Sequence, residues 1–176
     1  QINSKSGSEA QIIDFITSFV TTNFPQVRME IDKTGNIYIT KGIADTYPVI
    51  VAHTDQVGDY KGKISIFRSH GIIIGIGENG KQVNLGADDK NGLWIIMNLL
   101  QTEQILKVAL FVQEEHDGDR AGCRGARACD LSFFDDVRYV IECDRKGASD
   151  VVHIGKEDTH LCDSNFIHAD LLQKYG

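Results

Sequence analysis

The stretch Val49–Asp55, VIVAHTD, decides how the rest of the chain is read. Its first three residues are β-branched and no polar residue alternates with them, which fits a strand buried on both faces. Within four further residues the chain presents His53 and Asp55. Two later apolar runs end the same way: VALFV, Val108–Val112, passes through Gln113 into Glu114, Glu115 and His116, and YVIEC, Tyr139–Cys143, runs into Asp144. In an open sheet of parallel strands such ends lie along one edge, where these folds bind ligands. The three polar ends are therefore expected to form one site. A fourth segment, LGADDKNG, Leu85–Gly92, places Asp88 and Asp89 just before a helix.

The flanking segments supply the layers. Ile12, Ile13, Ile16, Phe19 and Val20 recur at helical spacing behind Ser8, which predicts an amphipathic helix with Ser8 as N-cap. VRMEI and NIYIT on either side of Asp32–Gly35 predict a hairpin. KISIF and GIIIGI read as a second strand pair, NGLWIIMNLL as a helix with one buried face, and RGARACDL as a short helix. DVVHI and SNFIHADLLQKY add a strand and a helix at the end. Strands alternating with helices predict an α/β fold: a central mixed, largely parallel sheet flanked by helices.

Composition narrows the function classes. The 176 residues fit one domain large enough to bury its own core. A net charge of -7 and the lack of a dense Lys/Arg cluster argue against a nucleic-acid partner. No apolar run reaches the roughly 18 residues of a membrane-spanning helix, so a membrane is not expected either. The four cysteines have neither CxxC spacing nor the density of a disulfide scaffold, which favours a reducing, cytoplasmic compartment.

A lone histidine after a strand, or a lone acidic pair at a helix start, is ordinary surface chemistry. Their conjunction is different. His53, Asp88, Glu114, Glu115 and Asp144 gathered at one edge without a counter-charge would repel one another at considerable cost. One or two divalent cations remove that cost. Imidazole with carboxylates suits zinc, with cobalt or manganese as substitutes. A paired site polarises a carbonyl and lowers the pKa of a bound water, and the adjacent glutamates can divide the work of base and ligand.

AHTD, GADDKNG, QEEHDGDRAGCRGA and IECD occur in the order and spacing of the co-catalytic di-zinc exopeptidases, and the chain resembles that family over roughly residues 8 to 145. Its relatives include tripeptidase T, the zinc deacylases and the leucyl-type aminopeptidases. The resemblance implies a three-layer sandwich of the zinc exopeptidase, phosphorylase/hydrolase-like type. It implies that His53 binds one metal, oriented from behind by Asp55; that Asp88 bridges two zinc ions; that Glu115 ligates the second and Asp144 the first; and that Glu114 is the general base. By the same resemblance Asp89 is expected to be the weaker candidate ligand of its pair, since the motif's first aspartate is the bridging one.

The chain also departs from the family. The last family ligand is a histidine near the C-terminus after a further strand, and His153, His160 and His168 do not stand in that context. The span from Asp144 to Asp163 has no room for the lid domain of the tripeptidase branch. Residues 1–176 are thus expected to be a single catalytic domain, shortened at its C-terminus, that binds a second ion weakly and hydrolyses poorly or not at all by itself. The expected chemistry is hydrolysis of small peptides by a metal-bound hydroxide, in an aminopeptidase or other metallo-exopeptidase. Two rivals stand beside it: an N-acyl amino acid deacylase and a non-catalytic metal-binding or assembly module. A homo-oligomer is an open possibility, since the missing segment would leave an apolar patch.

Two further signals are set aside. GIGENG satisfies GxGxxG, but no helix follows promptly and Asn79-Gly80 favours a hairpin turn. Cys143 precedes Asp144 in a strand, where neighbours face opposite sides, and is expected to be a buried structural thiol.

Overall fold

A computed structural model describes residues 2–116, 118 and 121–144. Its organising element is a five-stranded mixed sheet: β1 (Arg28–Ile31), β2 (Ile37–Lys41), β3 (Tyr47–His53), β7 (Leu106–Phe111) and β8 (Val137–Glu142), in the order β1-β2-β7-β3-β8. β3 pairs in parallel with both β7 and β8, whereas β1 with β2 and β2 with β7 are antiparallel. The parallel part is therefore confined to three strands. The three runs that end in polar residues are those three strands, so their C-terminal ends share one edge.

β3 and β7 are buried almost throughout, as strands without alternation must be. Helix α1 (Ala10–Asn23) lays Ile12, Ile16 and Val20 on one face of the sheet, and α2 (Ala87–Thr102) adds Leu93, Ile96 and Leu100 to the same core. The opposite face carries Tyr38, Val49, Val51, Ala109 and Phe111, packed against Phe133 and Phe134 of a 3-10 turn at Leu131–Phe134 that follows the short helix α3 (Arg124–Arg127). Helical cover thus lies on both faces.

The Asp32–Gly35 turn closes the predicted hairpin, with Asp32 Oδ1 accepting from the N–H groups of Thr34, Gly35 and Asn36. The second predicted pair, β4 (Ile64–Ser69) and β5 (Ile72–Gly77), joins β6 (Gln82–Val83) in a separate three-stranded antiparallel sheet. Gly80 sits in the β5–β6 turn at φ +72°, so GIGENG is a hairpin and not a nucleotide loop. Ser8 does not cap α1: Glu9 occupies the N-cap position, without a side-chain cap. The Glu9 carboxylate accepts instead from the backbone of Gly7 and Gln113. The predicted strand DVVHI, the last helix, and His153, His160 and His168 lie outside the described residues.

Candidate metal centre

His53 is the last residue of β3 and its side chain is buried. Around its Nε2 the sheet edge gathers carboxylates from three other segments. Asp88 Oδ1 lies 2.8 Å away, and Glu114 Oε2 and Asp144 Oδ2 each lie 3.8 Å away. Two ligand-competent groups result, His53–Asp88–Asp144 and His53–Glu114–Glu115, each with its donor atoms within 4.8 Å of one another. The structure thus brings together His53, Asp88, Glu114, Glu115 and Asp144, with Asp88, Glu114 and Asp144 about one imidazole nitrogen.

The other ring nitrogen, Nδ1, lies 3.2 Å from Asp55 Oδ1 but is not aligned for a hydrogen bond with it. Asp55 is fully buried and has a further duty: its two oxygens accept from the backbone N–H groups of Glu114 and Glu115, at 2.9 and 3.0 Å. One carboxylate therefore lies against the imidazole as an ion-pair partner and fixes the backbone of the glutamate pair. Burial alone would raise the Asp55 carboxyl, but the His53 ring and those two N–H donors hold it below its usual range.

Adjacent aspartates at the start of α2 take different positions. Asp88 is exposed and faces the imidazole, across a cis peptide bond from Asp89. Asp89 is buried, accepting from the N–H groups of His53 (3.3 Å) and Gly92 (3.0 Å), so it ties the end of β3 to the first turn of α2. Burial, with Asp144 adding to it, raises its carboxyl to about 7.

The Glu114–Glu115 loop is held tightly. A Cβ on Gly125 would collide with the Val112 carbonyl and Asn36, and one on Gly122 with the Glu114 carbonyl, which accounts for the glycines downstream of the pair. Buried Asn36 accepts from Val112 N–H and donates to the Gly125 carbonyl. Cys123 donates its thiol to Glu114 Oε1 at 3.3 Å. Cys143, half-buried against the main core, has its thiol pKa pushed up by burial and then by Asp89 and Glu142.

The electrostatics are those of an anion cluster around one base. Burial opposes charge on His53, but Asp55 first, then Asp88 and Asp89, outweigh it and push the imidazole up to about 10. Burial and the neighbouring Asp88 and Glu114 charges likewise raise Asp144 and Glu115. Nitrogen and oxygen donors in anionic excess suit a divalent cation of the zinc type, whose charge would relieve the crowding. Beyond the residues singled out from sequence, Glu9, Ser4, Gln56 and Lys90 form a buried or half-buried polar layer behind the site. Of these only Lys90 lies within a quoted motif, GADDKNG; no periodicity or motif marks Glu9, Ser4 or Gln56.

No protein-family model matches the sequence, and no curated protein matches it significantly. Solved structures do. Aminopeptidase PepT from Bacillus cereus superposes with a TM-score of 0.68 at 25% identity, over 85% of this chain and 41% of that one. A tripeptidase from Staphylococcus aureus gives the same TM-score and coverage at 20% identity. The TET1 peptidase of Pyrococcus horikoshii, which can assemble into a tetrahedron or a large octahedral shell, gives 0.55 at 16% identity, over 82% of this chain and 66% of that one. The chain spans about two fifths of the first two proteins. Its fold is the mixed-sheet fold of these peptidases, as the four quoted motifs imply.

Proposed function

We propose that this chain carries the catalytic domain of a zinc-dependent exopeptidase that removes residues from small peptides. The single observation behind this reading is the convergence of Asp88, Glu114 and Asp144 on His53 Nε2, with Glu115 grouped beside them, at the C-terminal edge of the parallel strands. His53, Asp88 and Asp144 would hold one ion, and Asp88 and Glu115 a second, completed by a ligand from elsewhere. Bound zinc supplies Lewis acidity toward a carbonyl oxygen and lowers the pKa of water.

The chain's own residues supply the rest. Asp55 orients the imidazole and fixes the loop that aims both glutamates. Glu114, close to the imidazole but not needed as a ligand, would accept a proton from water at its carboxylate and return it to the leaving amine. A peptide whose free amine and scissile carbonyl reach this edge would be the substrate. Cobalt or manganese would substitute for zinc. Among the described residues no helix is long and apolar enough to cross a membrane, and the cytoplasm is the proposed compartment. Association of copies is compatible with the assembly seen for the TET1 peptidase.

A deacylase would share this metal edge, and a free amino terminus as against an acylated one on the substrate separates the two. The test is a Glu114→Gln substitution in the complete protein, assayed with an aminoacyl amide and with an N-acyl amino acid. Zinc content should stay within about threefold while turnover falls by about 100-fold or more, the usual share of a general base. Turnover close to that of the unsubstituted protein would remove Glu114 from the base role.

A further inference from the structure

The segment before α1 touches three of the four loops that carry the metal edge. Gln56 N–H donates to the Ser4 carbonyl, and Lys5 and Gln56 form a parallel bridge beside the loop after β3. Lys90, just after the aspartate pair, donates to Ser4 Oγ and Gln56 Oε1. Ser6 Oγ lies 3.4 Å from the Glu115 carbonyl it donates to. The strap ends at Glu9, only 6% exposed, whose Oε1 accepts from Gly7 N–H at 2.9 Å and Gln113 N–H at 3.1 Å.

Gln113 is the hinge into the glutamate pair. Its φ of +54° lies in the left-handed region that a residue with a Cβ rarely adopts unless its surroundings impose it. Four consecutive N–H groups, from Val112 to Glu115, donate to side-chain oxygens: Asn36, then Glu9, then both oxygens of Asp55. Without Glu9 the left-handed residue's N–H would lose its acceptor, leaving Gln113 tied only through its carbonyl, which accepts from Arg124 N–H as the Glu114 carbonyl does from Cys123 N–H. Both hydrogen bonds that the Glu9 side chain accepts come from backbone N–H groups, so it acts through the backbone.

We propose that Glu9 is a positioning residue for the Glu114–Glu115 pair: its buried carboxylate pins the left-handed Gln113 and thereby sets the direction in which both glutamates approach His53. The inference rests on the metal-centre reading for its consequence, but its structural core can be tested without metal. A carbonyl oxygen is enough to accept from Gln113, so glutamine should serve where alanine fails.

The experiment compares Glu9→Ala and Glu9→Gln, with Val20→Ala as a control that weakens the far end of α1 without touching the loop. Amide hydrogen exchange in the metal-free chain reads the loop. Co2+ titration, followed by its visible absorption, reads the site. Glu9→Ala should speed exchange at Gln113 by about tenfold or more beyond the control and weaken Co2+ by about tenfold, as loss of an orienting partner does. Glu9→Gln should restore most of both. Gln113 exchange no faster than in the control, or no restoration by glutamine, overturns the proposal. If the unsubstituted chain binds no Co2+, the metal reading fails and the exchange arm alone decides the role of Glu9. Should Glu9→Ala not fold, Glu9→Asp, which withdraws the acceptor by one methylene, takes its place with the same expected exchange result.

Discussion

The two sheets of this protein are written in nearly the same alphabet and are put to different use. VIVA in β3 and III in β5 are equally apolar, yet Val49–His53 is buried throughout while Ile72, Ile73 and Ile74 are 65%, 52% and 36% exposed. β3 lies between β7 and β8 with helices over the sheet, whereas β5 lies in a three-stranded ribbon in which only Gly75 and Gly77 of the strand are buried. Burial depends on what covers a strand and not on its composition alone. The proposed metal edge stands on the covered sheet, where a rigid core can hold several chain segments around one imidazole.

The largest expected difference between the sheets is in stability. Leu110, 1% exposed near the C-terminal end of β7, should cost about 3 kcal/mol on truncation to alanine, as buried leucines do; urea denaturation measures it. A value near zero would mean that the main sheet is not the stability core. Second in size is Asp55→Asn, where one of two backbone N–H groups would face an amide N–H2 in place of an oxygen. A loss of about 2 kcal/mol is expected, together with faster exchange at Glu114 and Glu115. The smallest effect belongs to the ribbon: Ile73→Ser, on an exposed strand position, should shift stability by less than about 0.5 kcal/mol. A larger loss there would show that the ribbon is covered in solution.

The sheet edge was readable because apolar runs stop at chemistry-bearing residues: the runs before His53 and Glu114 belong to the buried strands β3 and β7, whereas the run before Asp144 belongs to β8, which is largely exposed. The division between Asp88 and Asp89 was visible through family resemblance alone, since their opposite orientations follow from backbone geometry that no pattern encodes. Ser8 misled because Ser before an apolar period is a good cap signal, and here the nearby carboxylate of Glu9 is drawn to Gln113, 104 residues away. Asp55's hold on the glutamate backbone was equally hidden. Contacts between a side chain and a distant main chain leave no trace in spacing, and the polar layer behind the site consists largely of them.

The central claim is that the carboxylates around His53 Nε2 await a divalent ion. Without metal, the carboxylates keep the imidazole pKa at about 10, above its ordinary 6.5, so at pH 7 the ring is charged and must lose its proton to become a ligand. Binding should therefore release a proton and tighten as pH rises, by up to about tenfold per pH unit below that pKa. Calorimetric titration of Zn2+ at pH 7, in two buffers of different ionisation enthalpy, measures affinity and proton release together. The account predicts release of about one proton, stronger binding at pH 8, and loss of both in His53→Ala. Zinc binding that releases no proton, or that survives His53→Ala unchanged, would contradict it.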